Sequence, residues 1–327
     1  MVKVGVPRAL LYYQYFPAWK AFFQALGAEV MVSSPTNKAI MAAGNSQAVA
    51  ETCLPVKLFF GHVISLIDKC DYMFIPAMRS LGNKAYYCSK FIGLPDMTRA
   101  LVRKCPPILD PEIDLNKGRR SLDRTAYDLG HHFSEDRNKI KEAVRQAEEV
   151  HLAYRREMSD QRTAPPQVLD GARPEEGKWD SGAVAPPVLS IAVIGHQYVL
   201  YDEYMSHRLI SRLRAMGVRV FTPEMVSQDA LDTATLKLGG APHWSFEADI
   251  VGAGEHYLHT EVDGIISVAV FGCGPDSMMI DMVRHRAREL RTPFLHLSLD
   301  EHTSEGGLVT RLEAFLDMVR RRRKVCA

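Results

Sequence analysis

At 327 residues the chain is longer than one hydrophobic core usually serves, so two domains are expected. An apolar content of 46% suits a folded globular protein, and no run of about 18 apolar residues suggests a membrane span. A net charge of +1 argues against general nucleic-acid binding, and the six cysteines, without a secretory leader pattern, are expected to be reduced thiols.

The opening Met-Val-Lys-Val-Gly-Val-Pro predicts a strand over Val2 to Val6. No charged segment followed by an apolar stretch precedes it, so a cytoplasmic location is expected. A polar and aromatic turn leads into a helical stretch ending near Leu26, with Gly27 as its cap, and Val30 to Val32 reads as the next strand. In Glu-Thr-Cys-Leu-Pro, Pro55 suits the first turn of a helix, where the amide it lacks would have no partner. Val56, Phe59, Phe60, Val63 and Ile67 follow at helical spacing, and a strand over Tyr72 to Ile75 is predicted after Asp71. Cys88 stands in Tyr-Tyr-Cys-Ser-Lys, and Ser134 to Met158 reads as a charged helix.

Residues 161–187 collect prolines and glycines without apolar period and read as a linker between an N-terminal domain, 1–160, and a C-terminal domain, 188–327. The second domain restates the plan of the first. Leu189 to Ile194 predicts a strand, Gly195-His196-Gln197-Tyr198 a turn, Glu203 to Met216 a helix capped by Gly217, and Val218 to Phe221 a strand. A strand over Ile265 to Phe271 runs into Gly272-Cys273-Gly274-Pro275, then a helix from about Asp276 to Leu290 and a strand over Phe294 to Leu299. The basic run Arg320 to Lys324 suits the C-terminal end of a helix.

This alternation predicts an α/β protein of two Rossmann-like domains with largely parallel sheets and ligands beyond the strand C-terminal ends. Cys53 and Cys273 each precede a proline by two residues at a predicted helix start, where free amides and the helix dipole lower a thiol pKa and favour anions. With Cys53 and Cys88 in one half and Cys273 in the other, a shared ligand is expected in the interdomain cleft. The thiolates suit zinc as well as iron and sulfur, and His62, His196 or His302 would complete a tetrahedral zinc site. Cys70, Cys105 and Cys326 have no comparable surroundings and read as structural.

Around these thiols, His196 is a candidate for proton delivery, with Tyr198 and Tyr201 close behind in sequence. Glu301 and His302 follow a strand and suit an acid/base pair, or the capping of the next helix. Arg8, Tyr12 and Tyr13 occupy the matching turn of the first half, where Arg8 would meet an acidic group. Lys57 and Lys90 would balance an anionic ligand, Asp276 reads as a helix-dipole partner, and His256 and His259 as a helix surface.

Five segments carry a family resemblance: Val-Gly-Val-Pro-Arg-Ala-Leu-Leu-Tyr-Tyr (4–13), Glu-Thr-Cys-Leu-Pro-Val-Lys (51–57), Phe-Ile-Gly-Leu-Pro-Asp-Met (91–97), Phe-Gly-Cys-Gly-Pro-Asp-Ser (271–277) and Asp-Glu-His-Thr-Ser-Glu-Gly-Gly-Leu-Val-Thr-Arg (300–311). Together they resemble the acyl-CoA dehydratase activase-related branch of the 2-hydroxyacyl-CoA dehydratase superfamily. The resemblance implies a 4Fe-4S cluster held by Cys53, Cys88 and Cys273 with one iron open. It also implies a partner, an ATP-dependent activator with its own iron-sulfur cluster, since this chain has no phosphate-binding ATPase signature. An acyl-CoA or other small-molecule substrate and a homodimer complete the expectation, with no nucleic-acid or membrane partner. Two other readings stand beside this one: a non-catalytic iron-sulfur carrier or double-cubane reductase, and a zinc-binding interaction protein.

Overall fold

The computed structural model describes residues 1–82, 84–169, 189–238, 243–260 and 262–326, with side chains as far as 323. The chain divides into two compact units, Met1–Arg155 with Pro242–Ser245, and Arg156–Ala241 with Phe246–Ala327. Most of the expected linker, residues 170–187, lies outside the described residues, while Pro165–Leu169 within it forms a short helix.

Among the described residues, the first unit is built on β1 (Lys3–Val6), β2 (Glu29–Val32), β3 (Tyr72–Phe74) and β5 (Ile108–Leu109), a parallel sheet in the order β2-β1-β3-β5. A smaller parallel pair joins β4 (Ala77–Ser80) to β6 (Glu112–Asp114). Helix α1 (Tyr12–Ala25) forms because Trp19 and Phe23, four residues apart, share a face. Both rings meet Phe74 of β3 edge-on, at 5.1 and 5.0 Å. The chain leaves α1 through Gly27, whose φ of +88° is the left-handed conformation that ends helices.

Asn37 caps α2 (Lys38–Gln47) by accepting from the Ala39 and Ile40 amides at 3.0 and 3.1 Å. Helix α2 then crosses α3 (Leu54–Leu66) backbone to backbone. A Cβ at Gly44 would stand 2.0 Å from the Lys57 carbonyl oxygen, and one at Gly61 2.0 Å from that of Ile40. The short helices α4 (Ser89–Ile92) and α5 (Leu94–Leu101), then α6 (Arg119–Gly130) and α7 (Arg137–Gln161), complete this part of the chain.

After α8 (Pro165–Leu169), the second unit pairs β7 (Leu189–Ile194), β8 (Val218–Phe221), β9 (Gly264–Val270) and β10 (Phe294–Leu299) in the order β10-β9-β7-β8, again all parallel. Counted from the first strand of each unit, this order is the same as in the first unit. All seven residues of the inner strand β9 are buried, which is why Gly-Ile-Ile-Ser-Val-Ala-Val is apolar but for Ser267 rather than alternating. The expected duplication extends to single bonds. Asp71 and Asp263, each just before a third strand, accept the Lys3 and Ser190 amides through their carboxylates at 2.7 Å. Their own amides donate to the same residues' carbonyls at 2.8 and 2.7 Å.

One predicted helix is corrected. Residues 203–216 form α10 (Leu209–Ala215) alone, after the one-turn α9 (Gln197–Leu200). Asp202 binds the Tyr204 and Met205 amides through its side chain, and His207 and Arg208 take positive φ, so the run is broken before Leu209. Helices α11 (Gln228–Lys237), α12 (Ser245–Leu258), α13 (Gly274–Glu289) and α14 (Glu305–Cys326) complete the chain. The basic run at the end of α14 also serves another helix: Arg320 donates to the carbonyl of Met216, which caps α10.

Candidate metal centre

Helices that follow parallel strands run back antiparallel to them, so their N-termini gather at the C-terminal edge of the sheet. Cys53, Cys88 and Cys273 each occupy the N-cap position of a helix, α3, α4 and α13 respectively, with extended backbone at Cys53 and Cys273. Pro55 and Pro275 stand in the first turns, as the Cys-x-Pro pattern predicts.

The expected lowering of thiol pKa is not what these positions give. At Cys53, burial raises the pKa and the neighbouring Cys88 adds to the rise; the Val56 amide and the Lys90 ammonium oppose it. Burial likewise drives the Cys273 thiol upward, followed by the carboxylates of Asp276 and Glu247, against a hydrogen bond from the Asp276 amide. Desolvation therefore outweighs the helix terminus at both sites, and a bound cation is what would favour the thiolates.

In the first unit, Cys53 and Cys88 are close enough for their charges to couple, with Lys90 beside them. His62, the zinc candidate of this unit, is fully buried in α3 with both ring nitrogens engaged: Nδ1 pairs with Ser33 Oγ at 2.8 Å and Nε2 with Thr36 Oγ1 at 2.9 Å. Burial, then the charge of Arg8, lowers its pKa to about 4. That ring serves two hydroxyls and has no lone pair left for zinc. Arg8 lies over the Tyr12 ring at 5.5 Å, and its amide donates to Ser33 Oγ at 2.8 Å.

The second unit brings two of the candidates together and adds a third. His196 follows β7 through Gly195, and Cys273 follows β9 through Gly272, so both stand at the same edge of adjacent strands. The ligand atoms of His196, Cys273 and Asp276 lie within 4.8 Å of one another. Asp276 is 1% exposed, and neither carboxylate oxygen has a hydrogen-bond partner. His196 Nε2 stands 2.8 Å from its Oδ1, an ion-pair contact outside hydrogen-bonding direction. Glu247, also buried, approaches the same nitrogen at 3.8 Å. Burial works against charging His196, yet Asp276, then Glu247 and Asp249, raise its pKa above the ordinary value. The ring is held in place by stacking on Tyr198 at 4.8 Å and by the edge of Phe246 at 5.4 Å.

Glu301 and His302 lie exposed in the turn after β10 and fall outside this group. Asp300 organises that turn, accepting from the His302 amide and the Thr303 hydroxyl at 2.9 Å each, and Ser304 receives the amide of Gly307 at the start of α14. His302 does line an open cavity of about 370 Å³ together with Asp300, Ser304 and Arg311. Tyr201 is structural, donating to Thr222 Oγ1 at 2.9 Å, and His259 pairs with buried Glu255 at 2.9 Å. Cys70 donates weakly to the Leu66 carbonyl at 3.5 Å, and the Cys105 thiol is pushed up to about 11 by burial and then by Cys70.

Two members of the site were not singled out from sequence for this role. By sequence Asp276 reads as a dipole partner, and Glu247 shows only as an acidic residue in the first turn of α12. Neither reveals its burial in the local pattern. No helix among the described residues is long and apolar enough to cross a membrane. A family model described as CoA enzyme activase uncharacterised domain matches residues 3–226. A comparison with curated proteins finds no match.

Proposed function

The chain belongs to the CoA enzyme activase uncharacterised domain family, and on that premise we propose that it is an iron-sulfur redox component related to the 2-hydroxyacyl-CoA dehydratases. Cys53, Cys88 and Cys273 hold a 4Fe-4S cluster, which is reduced by a separate ATP-dependent activator with its own cluster. The observation that supports this reading is the same local setting of the three thiols, each at a helix start. Each stands at the N-cap of a helix, and two of these helices carry a proline in the first turn. The donor set suits the group: soft thiolates select iron-sulfur clusters, and Lys90 beside Cys53 offsets negative charge.

Three protein ligands would leave one iron for a substrate, and the chemistry supplied when the cluster is bound is one-electron reduction of an acyl thioester. The chain's own residues handle the protons. His196 carries one beside the Asp276 carboxylate, 2.8 Å away, and Glu301 and His302 offer an acid/base pair beyond β10. Stacking on Tyr198 fixes the His196 ring beside the carboxylate.

Anaerobic purification, followed by iron, sulfide and zinc analysis and EPR of the reduced protein, tests the reading. Iron and sulfide in about equal amounts, a cubane EPR signal, and its loss in each of Cys53→Ser, Cys88→Ser and Cys273→Ser are expected. Zinc without sulfide, or a cluster indifferent to all three substitutions, overturns it.

A further inference from the structure

The surroundings of the three thiols differ in one chemical respect. Cys53 has a lysine beside it, whereas Cys273 faces two buried carboxylates and a histidine. Carboxylates repel an anionic cluster and attract a divalent cation, so the second unit carries donors that the cluster itself does not call for.

We propose that His196 Nε2, Cys273 Sγ and an oxygen of Asp276 form a divalent transition-metal site of their own, filled by Zn²⁺ or Fe²⁺ when no sulfide is supplied. Three observations carry it. The three donors come from two adjacent strand ends and already lie within 4.8 Å of one another. Donors of one tetrahedral ion stand about 3–4 Å apart, given metal–ligand distances of about 2.0–2.3 Å, so small side-chain rotations suffice. The second observation is Asp276, buried to 1% exposure with both oxygens lacking a hydrogen-bond partner. Its one close charge partner, His196 Nε2 at 2.8 Å, gives it no directed hydrogen bond, and a divalent cation would satisfy it more fully. The third is space: a Cβ at Gly272 or Gly274 would meet nothing within 4 Å, so the loop bearing Cys273 is open on both sides. One imidazole, one thiolate and one carboxylate are a donor set for Zn²⁺ or Fe²⁺, and too soft for Mg²⁺ or Ca²⁺. Binding releases two protons to the buffer, that of the Cys273 thiol and that on His196 Nε2, and Glu247, 3.8 Å from the same nitrogen, adds a second buried carboxylate whose charge favours a cation.

The site shares Cys273 with the cluster reading but does not require it, and the experiment keeps them apart. The full chain, stripped of metal under reducing, sulfide-free conditions, is titrated with Co²⁺. The expected result is about one equivalent bound, with visible ligand-field bands and a near-ultraviolet thiolate charge-transfer band, displaced by Zn²⁺. Cys273→Ser abolishes the charge-transfer band, and His196→Gln and Asp276→Asn each weaken binding by about tenfold or more, while Cys53→Ser and Cys88→Ser bind as the parent does. Peptide mapping on the unsubstituted protein supplies a readout independent of variant folding: Zn²⁺ protects Cys273, and not Cys53 or Cys88, from iodoacetamide. Absence of a thiolate band, unprotected Cys273, or equal loss in the Cys53 and Cys88 variants overturns the proposal. A Co²⁺ site in a protein that assembles no cluster overturns the cluster reading alone. A cluster that forms in a protein with no Co²⁺ site overturns this inference alone.

Discussion

Two buried histidines set the two units against each other. His62 in the first lies between two hydroxyls with Arg8 nearby, and its pKa falls to about 4; His196 in the second lies among carboxylates, and its pKa rises. Both rings are almost wholly out of water, so burial pushes each toward the neutral form, and the sign of the neighbouring charge decides the outcome. The same strand order thus supports a sealed, neutral hydrogen-bond network in one unit and a charged, incompletely satisfied cluster in the other. Strand order fixes where loops gather; the residues in those loops fix what the gathering can hold.

The sharpest way to break the comparison is at the helix crossings. Gly61→Ala places a Cβ 2.0 Å from the Ile40 carbonyl, where backbone must move, and is expected to cost about 3 kcal/mol in urea unfolding. Gly252→Ala, in the second unit, first meets the Thr235 hydroxyl at 2.6 Å and then the Leu231 carbonyl at 2.7 Å, and should cost less, about 2 kcal/mol. Equal losses would show that the two crossings are equally tight.

Acid separates the histidines next. An unfolded His62 takes up a proton below about 6.5, whereas the folded one waits until about 4, so stability falls as pH falls through that window. A gap of this size corresponds to at most about 3–4 kcal/mol. His62→Gln should flatten the profile between those limits relative to the parent, leaving a smaller slope from His151, whose pKa burial and then Arg155 also lower to about 4. A profile unchanged by the substitution would mean that His62 titrates normally in the fold.

The repeated aspartates sharpen the comparison at smaller scale. Asp263→Ala removes a partly buried bond to the Ser190 amide and should cost about 2 kcal/mol; Asp71→Ala, at the exposed equivalent, should cost about 1 kcal/mol. The reverse order, measured by urea unfolding, would contradict the burial argument. Smallest of all, Gly272→Ala meets no atom within 4 Å but must hold φ at +81°, so a loss of about 1 kcal/mol from backbone strain alone is expected. Gly274→Ala, in ordinary helical conformation, should be neutral within about 0.5 kcal/mol.

Much of the architecture was legible in the chain. Strands β7, β8 and β10 fall on the predicted residues, and Cys-x-Pro marked two helix starts because proline at that position has few other uses. The helix predicted from Glu203 failed because its apolar spacing was real while Asp202 and two left-handed residues broke the backbone beneath it. Helices α2 and α11 are short and carry little apolar period, and the first is recognisable mainly by the Asn37 cap. At the site, His196 and Cys273 stood out because each follows a strand through a glycine-containing turn. Asp276 and Glu247 did not, since an acidic residue in the first turn of a helix is common and nothing local signals that it will be buried.

Local pattern was enough for the alternation of strands and helices, the duplication, and the placement of Cys53 and Cys273 at helix starts, because periodicity, glycine caps and proline constraints act over a few residues; that Cys88 also begins a helix emerged only in the fold. The tertiary structure decided which charges meet. Asp276 lies 80 positions after His196, and only the pairing of β7 with β9 brings their carboxylate and imidazole to 2.8 Å and removes both from water. Burial and long-range electrostatics depend on that pairing, and no window of neighbouring residues contains it.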